Sequence, residues 1–122
     1  MIYMVGSDLE SSYGNASLDM DEMEAAGVDT AHNNVIVYAG GASQWQDRGL
    51  DGDACTTLLL TEDGFAPLDT YPAENMGDPL TLSSFMNYCF DFSPQIPTVC
   101  FCGITAADPY WDMVWMKITE IC

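Results

Sequence analysis

At 122 residues, 48% hydrophobic and 11% aromatic, the chain has the length for one domain around one core and the composition of a globular protein. Its 19 acidic residues stand against only Arg48 and Lys117, a net charge of -17 that excludes the basic patches nucleic acid and anionic membrane surfaces require. No apolar run reaches membrane-spanning length, and the longest, around Cys100–Ile104, suits a strand.

The first element is a strand over residues 2–5, ending in the polar Gly6-Ser7-Asp8. Met1–Val5 carries no basic residue, so it lacks a secretory pattern and reads as the tail of a buried strand. A helix is predicted from Ser17 to Ala26, with Met20, Met23 and Ala26 at three-residue spacing, acid in its first half and Gly27 as its stop. The acids lack the glycine and ligand spacing of a calcium loop, so they read as a solvated face. Val35–Ala39, closed by Gly40-Gly41, has the continuous apolar character of a strand covered on both faces. Strand, helix and strand make one βαβ unit and point to an α/β fold.

Trp45–Asp53 is a polar loop, Thr56–Thr61 a short strand, and Glu62-Asp63-Gly64-Phe65 a turn that suggests a hairpin. Asp78 then caps a second helix with Pro79 at its first position, and Leu82, Phe85, Met86 and Cys89 form its buried stripe. The cysteines, Cys55, Cys89, Cys100, Cys102 and Cys122, are odd in number and show no metal-ligand framework. His32, the one histidine, falls in a loop leading into a strand, without the surroundings of a catalytic base.

These residues resemble the clostripain-like cysteine peptidases. The resemblance rests on Tyr3–Ser11, on Ala16–Met23, on Val37–Gly41 with Trp45, and on Asn75–Leu82, blocks that follow the family's order over roughly residues 2 to 90. It implies a caspase-like (caspase-hemoglobinase) sheet flanked by helices, here incomplete. It also implies cleavage of peptide or protein substrates after basic residues by a His/Cys dyad, and an extracellular or cell-envelope setting. Calcium is a cofactor the resemblance leaves open for the intact family. Neither nucleic acid nor membrane is an expected partner.

After the second helix the family carries a strand ending in a motif like LWDHGGG, whose histidine is catalytic, then G-x-G-x-D-E, and later the nucleophilic cysteine. This chain instead reads Phe92-Ser93-Pro94 and onward to Cys100-Phe101-Cys102-Gly103-Ile104-Thr105-Ala106-Ala107-Asp108. Codons reread from each third base restore the pattern. The pairs from Cys102-Gly103 to Ala107-Asp108 permit W-D-H-G-G-G in order. Trp111-Asp112 and Met113-Val114 force glycine, Trp115-Met116 forces aspartate and Met116-Lys117 forces glutamate, which is G-x-G-x-D-E. The expectation is a peptidase portion over residues 2–91 and an out-of-frame tail over residues 92–122.

The competing reading makes Thr98–Ile104 a true core strand and Trp111–Ile121 a true helix. On the frameshift reading no residue of this chain is catalytic, none is a metal ligand, the substrate-binding residues are unknown, and the chain is an inactive peptidase fragment with an exposed sheet edge and poor solubility. An alternative of another class is a small acidic, non-enzymatic module that binds calcium. A third, an active peptidase using His32, has nothing around His32 to support it.

Overall fold

The structure, a computed structural model, describes residues 1–93 and the backbone of two further strands, residues 100–104 and 114–118. The chain runs β1 (Ile2–Val5), α1 (Ser7–Tyr13), α2 (Asn15–Ala25), β2 (Ile36–Gly40), β3 (Ala54–Thr61), β4 (Gly64–Pro72), α3 (Pro79–Phe92), β5 (Cys100–Ile104) and β6 (Val114–Ile118). The six strands form one mixed sheet in the order β4-β3-β2-β1-β5-β6. β1 is parallel to both β2 and β5, whereas the outer pairs are antiparallel. The α/β expectation and the predicted βαβ unit are both met.

Alternation along the central strands explains why they read as continuous apolar runs. Ile2, Met4, Val37, Ala39 and Leu58 point to one face and join Ala16 and Met20 of α2. Tyr3, Ile36, Tyr38 and Cys55 point to the other and join Phe85 and Cys89 of α3. Each strand therefore buries both its even and its odd positions, as a sheet sandwiched between helices requires.

The helices depart from expectation in instructive ways. α1 has no counterpart among the elements the sequence predicts, where the first helix begins at Ser17. Its one fully buried side chain is Glu10, so it carries no apolar stripe. Gly14, at φ +70°, ends α1 and opens α2 two residues before the predicted start. Gly27 (φ +68°) follows α2 in the left-handed conformation expected of its stop. In α2, Met20 is buried, Met23 packs at the rim of the core and Ala26 is exposed beyond the helix.

α3 follows its prediction closely at the N-terminus, where the Leu80 N–H donates to the Asp78 carboxylate at 2.9 Å and Pro79 opens the helix. Its fully buried line is Thr81, Phe85 and Cys89; Leu82 packs at the edge of the core, and Met86 is only half-buried. The hairpin is present too, and β4 runs on to Pro72. Pro67 and Pro72 are tolerated because β4 is a sheet edge. In the C-terminal region, the strand of the competing reading appears as β5, but its helix over Trp111–Ile121 does not: Val114–Ile118 is a strand paired with β5. The remaining residues of both segments lie outside the described residues.

Candidate active-site edge

Connection order singles out one place on this sheet. From β1 the chain crosses to β2 by way of α1 and α2 on one face, and it reaches β5, on the other side of β1, by way of α3 on the opposite face. A crevice opens outside the carboxyl ends of parallel strands wherever successive connections diverge in this way, and ligands of open α/β sheets bind there. Here that switch point lies between the ends of β1 and β5, bounded on the β1 side by Val5, Gly6 and Ser7. The residues directly following Ile104 lie outside the described residues.

Ser7 has φ +51°, the one non-glycine residue with positive φ among the described residues. Such strain persists only where the surroundings enforce it, and they do. The Gly6 N–H donates to the Gly40 carbonyl at 2.9 Å, tying the end of β1 to the end of β2. A Cβ on Gly6 would come within 2.8 Å of the Ala42 Cβ and 3.2 Å of the buried Trp45 ring. The chain must turn into α1 through glycine, and Ser7 takes the strained geometry that remains.

Behind this turn, a buried carboxylate locks the loop after β2 onto α1. Glu10 accepts the Ser17 N–H at 2.8 Å and the Ser17 hydroxyl at 2.5 Å, and it also accepts the Gln46 N–H at 2.9 Å. Ser11 adds a second knot: its Oγ accepts the Ser43 N–H at 3.0 Å, while the Gln46 side-chain amide donates to the Ser11 carbonyl. Nearby, Asp19 has its pKa pushed from 3.8 up to about 6, chiefly by burial and then by the negative charges of Glu22 and Glu10. Arg48 secures the rest of the loop through Glu24 at 2.6 Å and through Asp21, with its guanidinium 5.9 Å from the centre of the Phe65 ring. Its hydrogen bond, together with the Phe65 N–H, holds the Glu24 carboxyl below the usual range. Glu10 and Ser11 thus fix a ledge at the carboxyl edge of β1 and β2, whereas the Arg48 cluster sits toward the amino end of β2, beside the β3–β4 turn.

Among the described residues, the edge brings together no cysteine with a histidine. His32 is on the loop before β2, its Nδ1 2.7 Å from the Asp29 carboxylate and its side chain 81% exposed. Cys55 lies at the other end of β2, against Gly40, with its Sγ 3.8 Å from the Met76 sulfur. Cys89 is buried in the α3 core, and the side chains of Cys100, Cys102 and Cys122 lie outside the described residues. Among the described residues no group of three or more His, Cys, Asp or Glu side chains could hold a metal ion. No described helix is long and apolar enough to cross a membrane. Ser7 and Glu10 escaped the sequence reading as site residues. The available signal for Glu10 was a carboxylate in a short segment with no basic residue near it in sequence.

The chain is similar in structure to a B. fragilis cysteine protease, at a TM-score of 0.59 and 18% sequence identity, over 91% of this chain and 89% of that one. At that identity the likeness concerns the fold, a caspase-like sheet between helices. The chain matches no curated protein sequence. The clostripain family, by contrast, matches residues 2–101, which hold β1 to β4, all three helices, the strained turn and the start of β5. With that span matched, the chain belongs to the clostripain family of cysteine peptidases.

Proposed function

We propose that this chain is the scaffold portion of a clostripain-type endopeptidase, one that cleaves peptide or protein substrates after basic residues, and that it is inactive by itself. In such an enzyme a cysteine thiolate attacks the scissile carbonyl while histidine takes up and returns the proton, so the two must meet within hydrogen-bond reach. The observation that carries the reading is the position of the single histidine. His32 lies at the amino end of β2, whereas the switch-point crevice lies at the carboxyl end of β1. The family places its histidine directly after the strand that β5 represents. Here that position reads Thr105-Ala106-Ala107-Asp108.

The same proposal holds that the codons from about Phe92 onward are read out of frame. Its support is the forced G-x-G-x-D-E across Trp111–Lys117 and the permitted W-D-H-G-G-G across Cys102–Asp108. The purified chain should give no turnover of peptidyl-arginine or peptidyl-lysine amides above buffer. Expression from the gene with its frame restored should yield turnover that is lost when the restored histidine becomes alanine. Turnover by the 122-residue chain that disappears on His32→Ala would overturn the inactivity. Bases that do not spell W-D-H-G-G-G in the shifted frame would overturn the frame assignment.

A further inference from the structure

On the α3 face, away from the strained turn, the aromatic packing leaves a cavity of about 130 Å³ between α3 and the β3–β4 hairpin. Its walls include Tyr38, Tyr71, Phe85 and Tyr88, with Thr57, Thr81 and Ser84 between them and the exposed Glu74 beside them. Tyr38 and Phe85 form the floor, stacked with ring centroids 5.2 Å apart, and Tyr71 leans over Tyr38 at 6.3 Å. An apolar cavity of about 150 Å³ accepts a benzene ring, so the space suits one small head group.

The polar atoms around it fix the sign of charge it would take. The Tyr38 hydroxyl donates to the Glu74 carboxylate at 3.1 Å, and the Tyr88 hydroxyl donates to the Asp69 carboxylate at 2.6 Å. Both phenol protons are thus committed outward to anions. That leaves both rings electron-rich, and the Thr81 hydroxyl in the lining is likewise committed, to the Asn75 carbonyl at 3.0 Å. The same setting raises the pKa of Tyr38, Tyr71 and Tyr88, through burial first, with Glu74 or Asp69 adding in each case. No lysine, arginine or histidine lines the cavity. Aromatic rings, nearby carboxylates and a lining without cationic side chains favour a large, weakly hydrated cation over a small hydrated one.

We propose that this cavity is a binding site for an alkylated ammonium group, of the kind carried by choline or by a trimethyllysine side chain. The net charge of -17 would concentrate such cations around the chain. The site does not depend on peptidase activity, so it stands or falls separately from the functional reading above.

Choline and its neutral isostere 3,3-dimethylbutan-1-ol, titrated into the full 122-residue chain and followed by NMR, provide the test. Choline should bind about ten-fold more tightly than the isostere, with its N-methyl protons shifted upfield by the rings. The perturbed protein signals should centre on Tyr71, Phe85 and Tyr88. Glu74→Gln, a change at an exposed position, should weaken choline several-fold and leave the isostere unchanged. Tyr71→Ala should weaken both. A trimethyllysine peptide run beside choline separates the sources: tighter binding of the peptide assigns a side chain, and equal binding assigns the free head group. Equal affinity for choline and its isostere, or no saturable shift at these residues, would overturn the proposal.

Discussion

The two faces of the sheet are held by opposite chemistries. On the α1/α2 face, the apolar contacts of Met4, Met20 and Val37 are supplemented by a fully buried carboxylate and by Arg48, the only arginine. On the α3 face, stacked rings dominate: Tyr3, Tyr38 and Phe85 lie within 6.1 Å of one another, centroid to centroid, along each contact. Charge serves where a loop must be fixed in place, because hydrogen bonds specify position. Aromatic area serves where a helix must only adhere, because burial is non-directional. The α1/α2 face is therefore the one whose loop is more precisely positioned.

Removing the central ring of the α3 face should have the largest effect. Phe85 is 3% exposed and touches both Tyr3 and Tyr38, so Phe85→Ala should cost about 4 kcal/mol in urea unfolding, with little dependence on salt. Glu10→Gln attacks the opposite face at about 2–3 kcal/mol, since the amide nitrogen replaces one acceptor oxygen and turns donors toward either the Ser17 or the Gln46 N–H. Its signature is local. Amide exchange should speed up across residues 42–46 while the β1–β2 ladder stays protected. Loss of ladder protection at the same rate would mean that Glu10 supports the whole fold rather than the loop.

The sequence carried one of these chemistries more clearly than the other. Val35–Ala39 and the Asp78-Pro79 cap announced β2 and α3, because continuous burial and capping are local patterns. α1 was hidden because the residue it buries is Glu10, which no apolar period reveals. β4 was hidden beyond its turn because an edge strand with Pro67, Asp69, Thr70 and Pro72 shows no alternation of apolar and polar side chains. The placement of β5 beside β1 joins residues from opposite ends of the chain, and the aromatic cavity gathers Tyr38, Tyr71 and Tyr88 from three elements. Neither is a property of any window of sequence. The histidine count, by contrast, is read directly from the sequence, and it leaves His32 as the one histidine to place.

A smaller effect separates exposed from buried charge within the α1/α2 face. Arg48→Met should cost about 1 kcal/mol at low salt, because Asp21 is largely exposed and both ion pairs are screened. Glu24, whose pKa is lowered by Arg48, contributes stability above the ordinary carboxylate range and loses it as pH falls through its depressed value. The Arg48→Met variant should therefore be less sensitive to acid than the parent chain. An unchanged acid response would place the Glu24 stabilisation on the Phe65 N–H alone, which donates to it at 2.9 Å.

Asp19 provides the smallest and most selective test, since its sign is opposite. Its folded pKa of about 6 lies above the ordinary 3.8, so between those values the folded chain holds a proton that the unfolded chain has released. Stability from this group therefore falls as pH rises through that window, and the whole penalty is in force above about pH 6. Asp19→Asn removes the charge but keeps the shape. The variant should unfold at higher urea than the parent at pH 7.5, and the gap should close as pH falls toward 3.8. Burial is the largest cause and Glu10 the smallest of the three, so the gap should persist, slightly narrowed, in a Glu10→Gln background. A gap that vanished there would make Glu10, and not desolvation, the main source of strain on this face, and the buried carboxylate would then be a cost to its neighbours as well as a lock for the loop.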